Sequence, residues 1–229
     1  SEIMLQQTQV ATVIPYFQNF IQAFPTLSSL AKADIEEVLH RWSGLGYYAR
    51  ARNLHRSAQI IEKEYFGKFP QDLMQLQSLP GIGRTTAGAI LALAFNKSAS
   101  ILDGNVKRVL TRVHAIPGST ALASVNKKLW SLAESYTPLN HQASHYTQAM
   151  MDLGALICTR AQPKCIQCPL QTHCLAYLGK NPQAFPTPRP PKKIPSRATK
   201  MLILINAQQE ILLEKRPEMG IWGGLWSLP

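Results

Sequence analysis

The sequence has few acidic residues and no long apolar run. Only 13 Asp and Glu stand against 24 Lys and Arg among 229 residues, which gives a net charge of +11. No segment approaches the roughly 18 apolar residues of a membrane-spanning helix, and no charged-then-apolar N-terminal signal occurs. We therefore expect a soluble, intracellular protein. Its excess of positive charge favours a polyanionic partner, with nucleic acid ahead of a membrane surface.

Cysteine is also scarce, and its distribution is informative. All four cysteines fall within residues 158–174, in the order Cys158, Cys165, Cys168 and Cys174. An intracellular setting disfavours two disulfides and favours a four-thiolate metal site. Four thiolates suit zinc or an iron–sulfur cluster. Zinc sites more often carry two Cys-x2-Cys pairs, and this sequence has only one. The spacing therefore favours a [4Fe-4S] cluster, with zinc as the alternative. We expect the bound metal to have a structural role.

Apolar residues spaced three and four apart predict helices through the first 175 residues, and no strand pattern occurs before residue 198. In residues 1–24 we expect one buried face, with Pro15 starting a second helix. Further helices are predicted from about 47 to 66 and over 72–78, 106–115, 124–136 and 141–157. This part of the chain is therefore expected to be all-helical.

The stretch from Leu79 to Val109 combines two candidate functional features. Pro80-Gly81-Ile82-Gly83 predicts a tight turn before a helix from Thr85 to Phe95, and Asp103 opens the next helix. A helix N-terminus suits a bound phosphate. Both features have structural alternatives, because Gly-x-Gly can simply connect two helices and Asp is a common N-cap.

Residues 46–56 interleave Tyr47 and Tyr48 with Arg50, Arg52 and Arg56. Aromatic rings beside arginines suit base stacking and phosphate contact. The alternative is structural, with tyrosines in the core and arginines in water. Both interpretations stay open at this point.

The C-terminal part changes in composition. Residues 179–197 are rich in proline and basic residues and contain no acid, which predicts an extended linker. Residues 200–205 and 210–216 then predict a β-hairpin around Asn206–Gln209. The sequence thus predicts a large helical domain followed by the start of a second domain.

The hairpin, the following Asp and the four-cysteine loop together resemble the endonuclease III superfamily of DNA glycosylases over residues 1–176. Within it, residues 2–10, 44–52 and 101–109 resemble the adenine glycosylase branch, the MutY family, which removes adenine mispaired with 8-oxoguanine. The resemblance implies a mainly α fold: a helix-hairpin-helix glycosylase domain with an iron–sulfur cluster loop, followed by the truncated start of an α/β Nudix-like domain. The implied boundaries are a catalytic domain 1–178 (hairpin about 79–88, cluster loop 158–174), a linker 179–197 and a Nudix-like segment 198–229.

The resemblance also implies catalytic roles. Adenine is a poor leaving group, so an acid must protonate it while a carboxylate stabilises the oxocarbenium-like sugar. Glu2 matches the acid that delivers a proton to N7, and Asp103 matches the ionised partner. Asn105 resembles a polar residue of the catalytic site.

Other positions match residues that contact DNA. Leu5 and Gln6 match positions that probe or fill the gap left by an extruded base, and Tyr47 matches an aromatic that wedges beside 8-oxoguanine. The remaining expected contacts lie at the hairpin: Gly81, Gly83, Arg84 and Thr85. Superfamily hairpins often also hold a monovalent cation. The expected partner is duplex DNA with 8-oxoguanine:adenine or guanine:adenine mispairs, bound by a monomer in the cytoplasm, at the nucleoid if the source is prokaryotic.

Thr85 separates two branches of the superfamily. Bifunctional members carry a lysine two residues after the last hairpin glycine, and its amine forms a Schiff base with the sugar. A hydroxyl cannot form that imine, so a monofunctional glycosylase with little or no lyase activity is expected. Two alternatives stay open: a bifunctional pyrimidine-lesion glycosylase/lyase, and a non-catalytic DNA-binding module with a structural zinc.

Overall fold

The computed structural model describes residues 1–139, 141–188, 195–196, 198–217, 220 and 223–229. Residues 189–194 and 197 of the predicted linker, and Ile221 and Trp222 near the C-terminus, lie outside the described residues. Across the described part of the chain, no helix is long and apolar enough to cross a membrane.

Helices dominate the described residues, which confirms the prediction of a mainly α fold. The α-helices are α1 (Glu2–Leu5), α2 (Val10–Ala23), α3 (Leu27–Lys32), α4 (Ile35–Trp42), α5 (Ala49–Glu64), α6 (Leu73–Ser78), α7 (Arg84–Phe95), α8 (Gly104–Val113), α9 (Ala123–Tyr136), α10 (Ala143–Asp152) and α11 (Leu175–Leu178). A π-helical turn, Leu153–Ile157, continues α10, and short 3-10 turns occupy Cys165–Gln167, Gln171–His173 and Pro182–Ala184.

The prediction for α2 is wrong in two respects. Pro15 lies inside a continuous helix rather than starting a new one. The helix continues because proline removes only one backbone donor, while the neighbouring hydrogen bonds and the packing of Phe20 remain. The expected buried face is also incomplete: Val13 is buried, whereas Val10 and Ile14 are 61% and 50% exposed.

The chain divides into two compact units, and the first comprises residues 1, 3–68 and 191–229. Its helical core contains Val38, Trp42 and Ile61, and the rings of Phe20 and Trp42 meet edge to face at 6.1 Å. Asp34 caps α4, because its Oδ1 accepts a hydrogen bond from the Glu36 amide at 2.8 Å. The core fixes α4 and α5, which flank the turn carrying Tyr47.

The C-terminal segment of the first unit contains a small amount of β-structure. An antiparallel bridge joins Ile205 and Ile211, so the chain reverses around Asn206–Gln209 as predicted. Strand β1 (Glu214–Lys215) pairs antiparallel with β2 (Trp226–Ser227).

The second unit comprises residue 2 and residues 69–190. In it, α10 packs against α7 and α8. Its core is an apolar cluster formed by Ala89, Ile101, Leu102, Val106, Val109, Leu110, Ile116, Leu129, Ala133 and Met150. Helix α8 supplies three of these side chains, and this burial fixes the position of Asp103 at its N-terminal end.

Candidate functional site

The glycine turn joins α6 to α7. The Ile82 amide donates to the Leu79 carbonyl at 3.2 Å, and Gly83 is the N-cap of α7. Gly81 adopts φ +76°, a left-handed conformation that costs a non-glycine residue about 1–2 kcal/mol. The predicted hairpin is therefore present, and it places Gly83 at a helix N-terminus, where an anion is favoured.

Arg84 and Thr85 are the first two residues of α7. The Arg84 guanidinium forms an ion pair with Glu134 and lies 3.9 Å from the centre of the Trp130 ring. Arg84 also lines a cavity of about 560 Å³ together with Lys107 and Lys127, which makes this surface basic. Arg84 thus has partners within its own unit, and its expected DNA contact stays a prediction.

Asp103 is the N-cap of α8, as its position in the sequence predicts. Its Oδ1 accepts a hydrogen bond from the Val106 amide at 2.8 Å, and the side chain is half-buried. The carboxylate is therefore fixed at a helix N-terminus, which interacts favourably with negative charge.

Asn105 is held by Arg108 and by close approach of the backbone. Arg108 Nη2 donates to Asn105 Oδ1 at 2.8 Å and to the Gly154 carbonyl at 2.7 Å. Arg108 Nε donates to the Cys158 carbonyl at 2.7 Å. A Cβ atom on Gly154 would lie only 2.5 Å from the Asn105 Cβ, so no larger residue fits there without a shift. Arg108 therefore connects Asn105 to the first residue of the cysteine loop.

The four cysteines are half-buried free thiols that line one small cavity, of about 20 Å³, together with Arg112. Burial raises the pKa of Cys165, and negative charge on Cys158 and Cys174 raises it further. Among the described residues, however, no three or more His, Cys, Asp or Glu side chains form a group that could hold a metal ion. The thiols that line the cavity are suitable donors for a metal site, but their sulfur atoms are not grouped as metal ligands are.

Arg112 is the main anchor of the cysteine loop, and sequence reasoning missed it. The side chain is 2% exposed. Nη1 donates to Cys158 Sγ at 3.3 Å and to the Thr159 carbonyl at 2.7 Å, and Nη2 donates to the Arg160 carbonyl at 3.0 Å. Its position three residues after the buried Val109, on the inner side of α8, was the available signal.

In the first unit, Leu5 is the last residue of α1 and Gln6 follows it, and both are half-buried. A cavity of about 570 Å³ is lined by Gln6, Tyr47, Arg50, Arg52 and Gly223, among others. Tyr47 and Gln6, two predicted recognition residues, are thus brought together. Glu2, also half-buried, groups with the second unit, as do Asp103 and Asn105.

The structural interpretation of this segment, with tyrosines in the core and arginines in water, is wrong for Tyr47 and Arg50, whereas the base stacking expected of Tyr47 stays a prediction. Tyr47 is 66% exposed, whereas Arg50 is only 8% exposed. The arginine takes the core position because backbone carbonyls surround its guanidinium.

The fold is mainly helical and combines a Gly-x-Gly hairpin, a carboxylate at the start of the next helix and a four-cysteine loop. These features define the helix-hairpin-helix class of base-excision repair proteins. Residues 1–135 match the model of the HhH-GPD superfamily of base excision DNA repair proteins. The chain belongs to this superfamily.

Individual relatives agree with that assignment. The "Adenine DNA glycosylase" of Buchnera aphidicola subsp. Acyrthosiphon pisum (strain APS) is 46% identical over 229 residues, which is 100% of this chain and 65% of the relative. The chain thus spans about two thirds of that protein's length. A solved thermostable thymine-DNA glycosylase aligns with TM-score 0.69 and 29% identity, covering 78% of this chain and 82% of the other. An endonuclease III solved in a non-covalent complex with DNA aligns with TM-score 0.66 and 25% identity, covering 78% and 81%.

Proposed function

We propose that the chain is the helical catalytic part of an adenine DNA glycosylase that removes adenine opposite 8-oxoguanine or guanine in duplex DNA. The observation that carries the proposal is the 46% identity, over all 229 residues, to a protein of that name. Asp103 at the start of α8 supports it, because the reaction needs a carboxylate facing a developing positive charge. The proposed organisation is a catalytic domain 1–178, a linker 179–197 and a Nudix-like segment 198–229.

The proposed reaction hydrolyses the bond between adenine N9 and the sugar C1′. The target nucleotide is first extruded from the duplex into the site. Glu2 donates a proton to adenine N7, so that adenine leaves as a neutral base, while Asp103 stabilises the cationic sugar. Water then adds to C1′ and loses a proton, leaving an abasic site. Asn105, two residues after Asp103, provides a polar group that Arg108 fixes.

DNA is the proposed partner, and the endonuclease III–DNA complex with the same fold supports this. The backbone around Gly81 and Gly83 would bind a phosphate without reading sequence. Leu5, Gln6 and Tyr47 would contact the mispair from the first unit. The net charge of +11 adds attraction that is independent of sequence.

Thr85 supports a monofunctional enzyme over the bifunctional alternative, since its hydroxyl cannot form a Schiff base with the sugar. Borohydride trapping on DNA that carries the mispair is expected to give little covalent product. Efficient trapping by the wild-type protein would instead favour a glycosylase/lyase.

The four cysteines would hold a [4Fe-4S] cluster, whose contribution is to stabilise the fold of the loop. The composition of the thiol-lined cavity supports this assignment over a site with nitrogen or oxygen ligands. Iron analysis of natively prepared protein and a visible charge-transfer band test it. Stoichiometric zinc would support the structural-zinc alternative.

The direct test is adenine release from an 8-oxoguanine:adenine duplex, compared with guanine:adenine and thymine-glycol duplexes. Glu2→Gln and Asp103→Asn are expected to keep duplex binding and to lose excision by about 10²–10⁴-fold. Asp72→Asn is the matched control, because Asp72 also caps a helix, α6, and asparagine caps equally well. Normal excision by either catalytic variant refutes the role given to that residue.

A further inference from the structure

Arg50 is a buried cation that holds two separate segments of the first unit through their backbones. Its Nη1 donates to the carbonyls of Ile3, Met4 and Gln6 at 3.2, 2.7 and 2.6 Å. Its Nη2 donates to the carbonyls of Leu45 and Gly46, both at 3.2 Å. One guanidinium therefore joins the segment around α1 to the turn between α4 and α5.

Two of these carbonyls immediately precede residues in the left-handed conformation. Gln7 has φ +56° and Tyr47 has φ +50°, although neither is glycine. The carbonyls of Gln6 and Gly46 belong to the peptide units that set these two φ angles. Such conformations persist only where the surrounding structure fixes them. Arg50 donates to both peptide units and so provides that restraint.

The same guanidinium also lies next to the exposed ring. The Arg50 Cζ is 5.6 Å from the centre of the Tyr47 ring and 5.4 Å from that of the buried Trp42. Trp42 Nε1 adds a hydrogen bond to the Gly46 carbonyl at 3.1 Å. Tyr47 thus projects into solvent from a turn whose backbone is held on its buried side by Arg50 and Trp42.

We propose that Arg50 is a positioning residue for mispair discrimination: it fixes the backbone beneath Gln6 and Tyr47 so that these side chains meet the mispair in one geometry. The inference rests on the proposed function. A planar guanidinium donates to both segments at once, whereas a lysine ammonium is a point donor that cannot span them. The charge alone is therefore not sufficient.

Arg50→Lys tests the proposal by single-turnover adenine release at saturating DNA. We expect the rate ratio between 8-oxoguanine:adenine and guanine:adenine duplexes to fall about tenfold, equivalent to about 1.4 kcal/mol. Arg41→Lys is the matched control, since Arg41 is an exposed arginine on α4 that pairs only with Glu37 in the described residues, and it should keep the wild-type ratio.

A double-variant cycle shows whether Arg50 acts through Tyr47. In a Tyr47→Ala background, adding Arg50→Lys should change the ratio little further, because the positioned ring is already gone. If circular dichroism shows that Arg50→Lys does not fold, the same rate ratio is measured on the double variant Gln7→Gly/Arg50→Lys. Glycine relieves one of the two left-handed positions.

The outcomes distinguish the positioning role of Arg50 from the proposed function. Equal loss of rate on both duplexes, or an unchanged ratio, overturns the inference and leaves Arg50 with a purely structural role. If the wild-type protein releases adenine from neither duplex, the proposed function is refuted instead.

Discussion

Arg112 and Arg50 are buried arginines of different units, and both donate mainly to backbone carbonyls. Arg112 holds residues 158–160 and, through Nε, the carbonyls of Pro182 and Phe185 at 2.8 and 2.9 Å. Arg50 holds the turns beside Gln6 and Tyr47, the proposed recognition residues, and is itself nearer the surface. Both show how a guanidinium replaces regular secondary structure, because loops that pass through the interior still need donors for their carbonyls. The difference is that Arg112 secures the position of a loop, whereas Arg50 secures the conformation of two turns.

The largest predicted effect on stability is at Arg112. Arg112→Ala leaves several inward-facing carbonyls without a donor, each at a cost of about 1–3 kcal/mol, so we expect a loss of at least about 3 kcal/mol. The loss should exceed that of Arg50→Ala, whose site lies closer to water. Urea denaturation of the full chain measures both.

Arg160→Ala is the control for Arg112, because the Arg160 side chain is exposed while its carbonyl accepts from Arg112. It should change the free energy of unfolding by no more than about 0.5 kcal/mol. If Arg112→Ala were as mild as this control, Arg112 would not be an anchor of the cysteine loop.

Local signals in the sequence were sufficient for much of the fold. The hairpin at Gly81–Gly83, the start of α8 at Asp103 and the reversal around Asn206–Gln209 all depend on residues adjacent in sequence. Turn glycines and caps act within a few residues, and so the prediction needed no tertiary information.

The two arginine anchors could not be predicted in this way. An arginine in a sequence is normally predicted to be exposed to solvent. Three of the five carbonyls bound by Arg50, and all those bound by Arg112, belong to residues distant in sequence. The other two carbonyls bound by Arg50 lie in a turn whose direction depends on packing. The same limitation applies to Tyr47, because it lies in the turn that Arg50 holds through the Gly46 carbonyl.

Gly154 provides a smaller test of the second unit. A methyl group there meets Asn105 Cβ at 2.5 Å and the Asn105 Cα at 3.2 Å, so Gly154→Ala must displace α8 or the turn after α10. Overpacking of this kind costs about 1–3 kcal/mol. It would also disturb Arg108, which bonds both Asn105 and the Gly154 carbonyl. We therefore expect lower thermal stability and slower adenine release.

Gly104→Ala is the matched control, since a Cβ at Gly104 meets nothing within 4 Å and alanine favours the first turn of α8. If Gly154→Ala melted like that control and kept full activity, the close approach of Gly154 to Asn105 would impose no constraint on function.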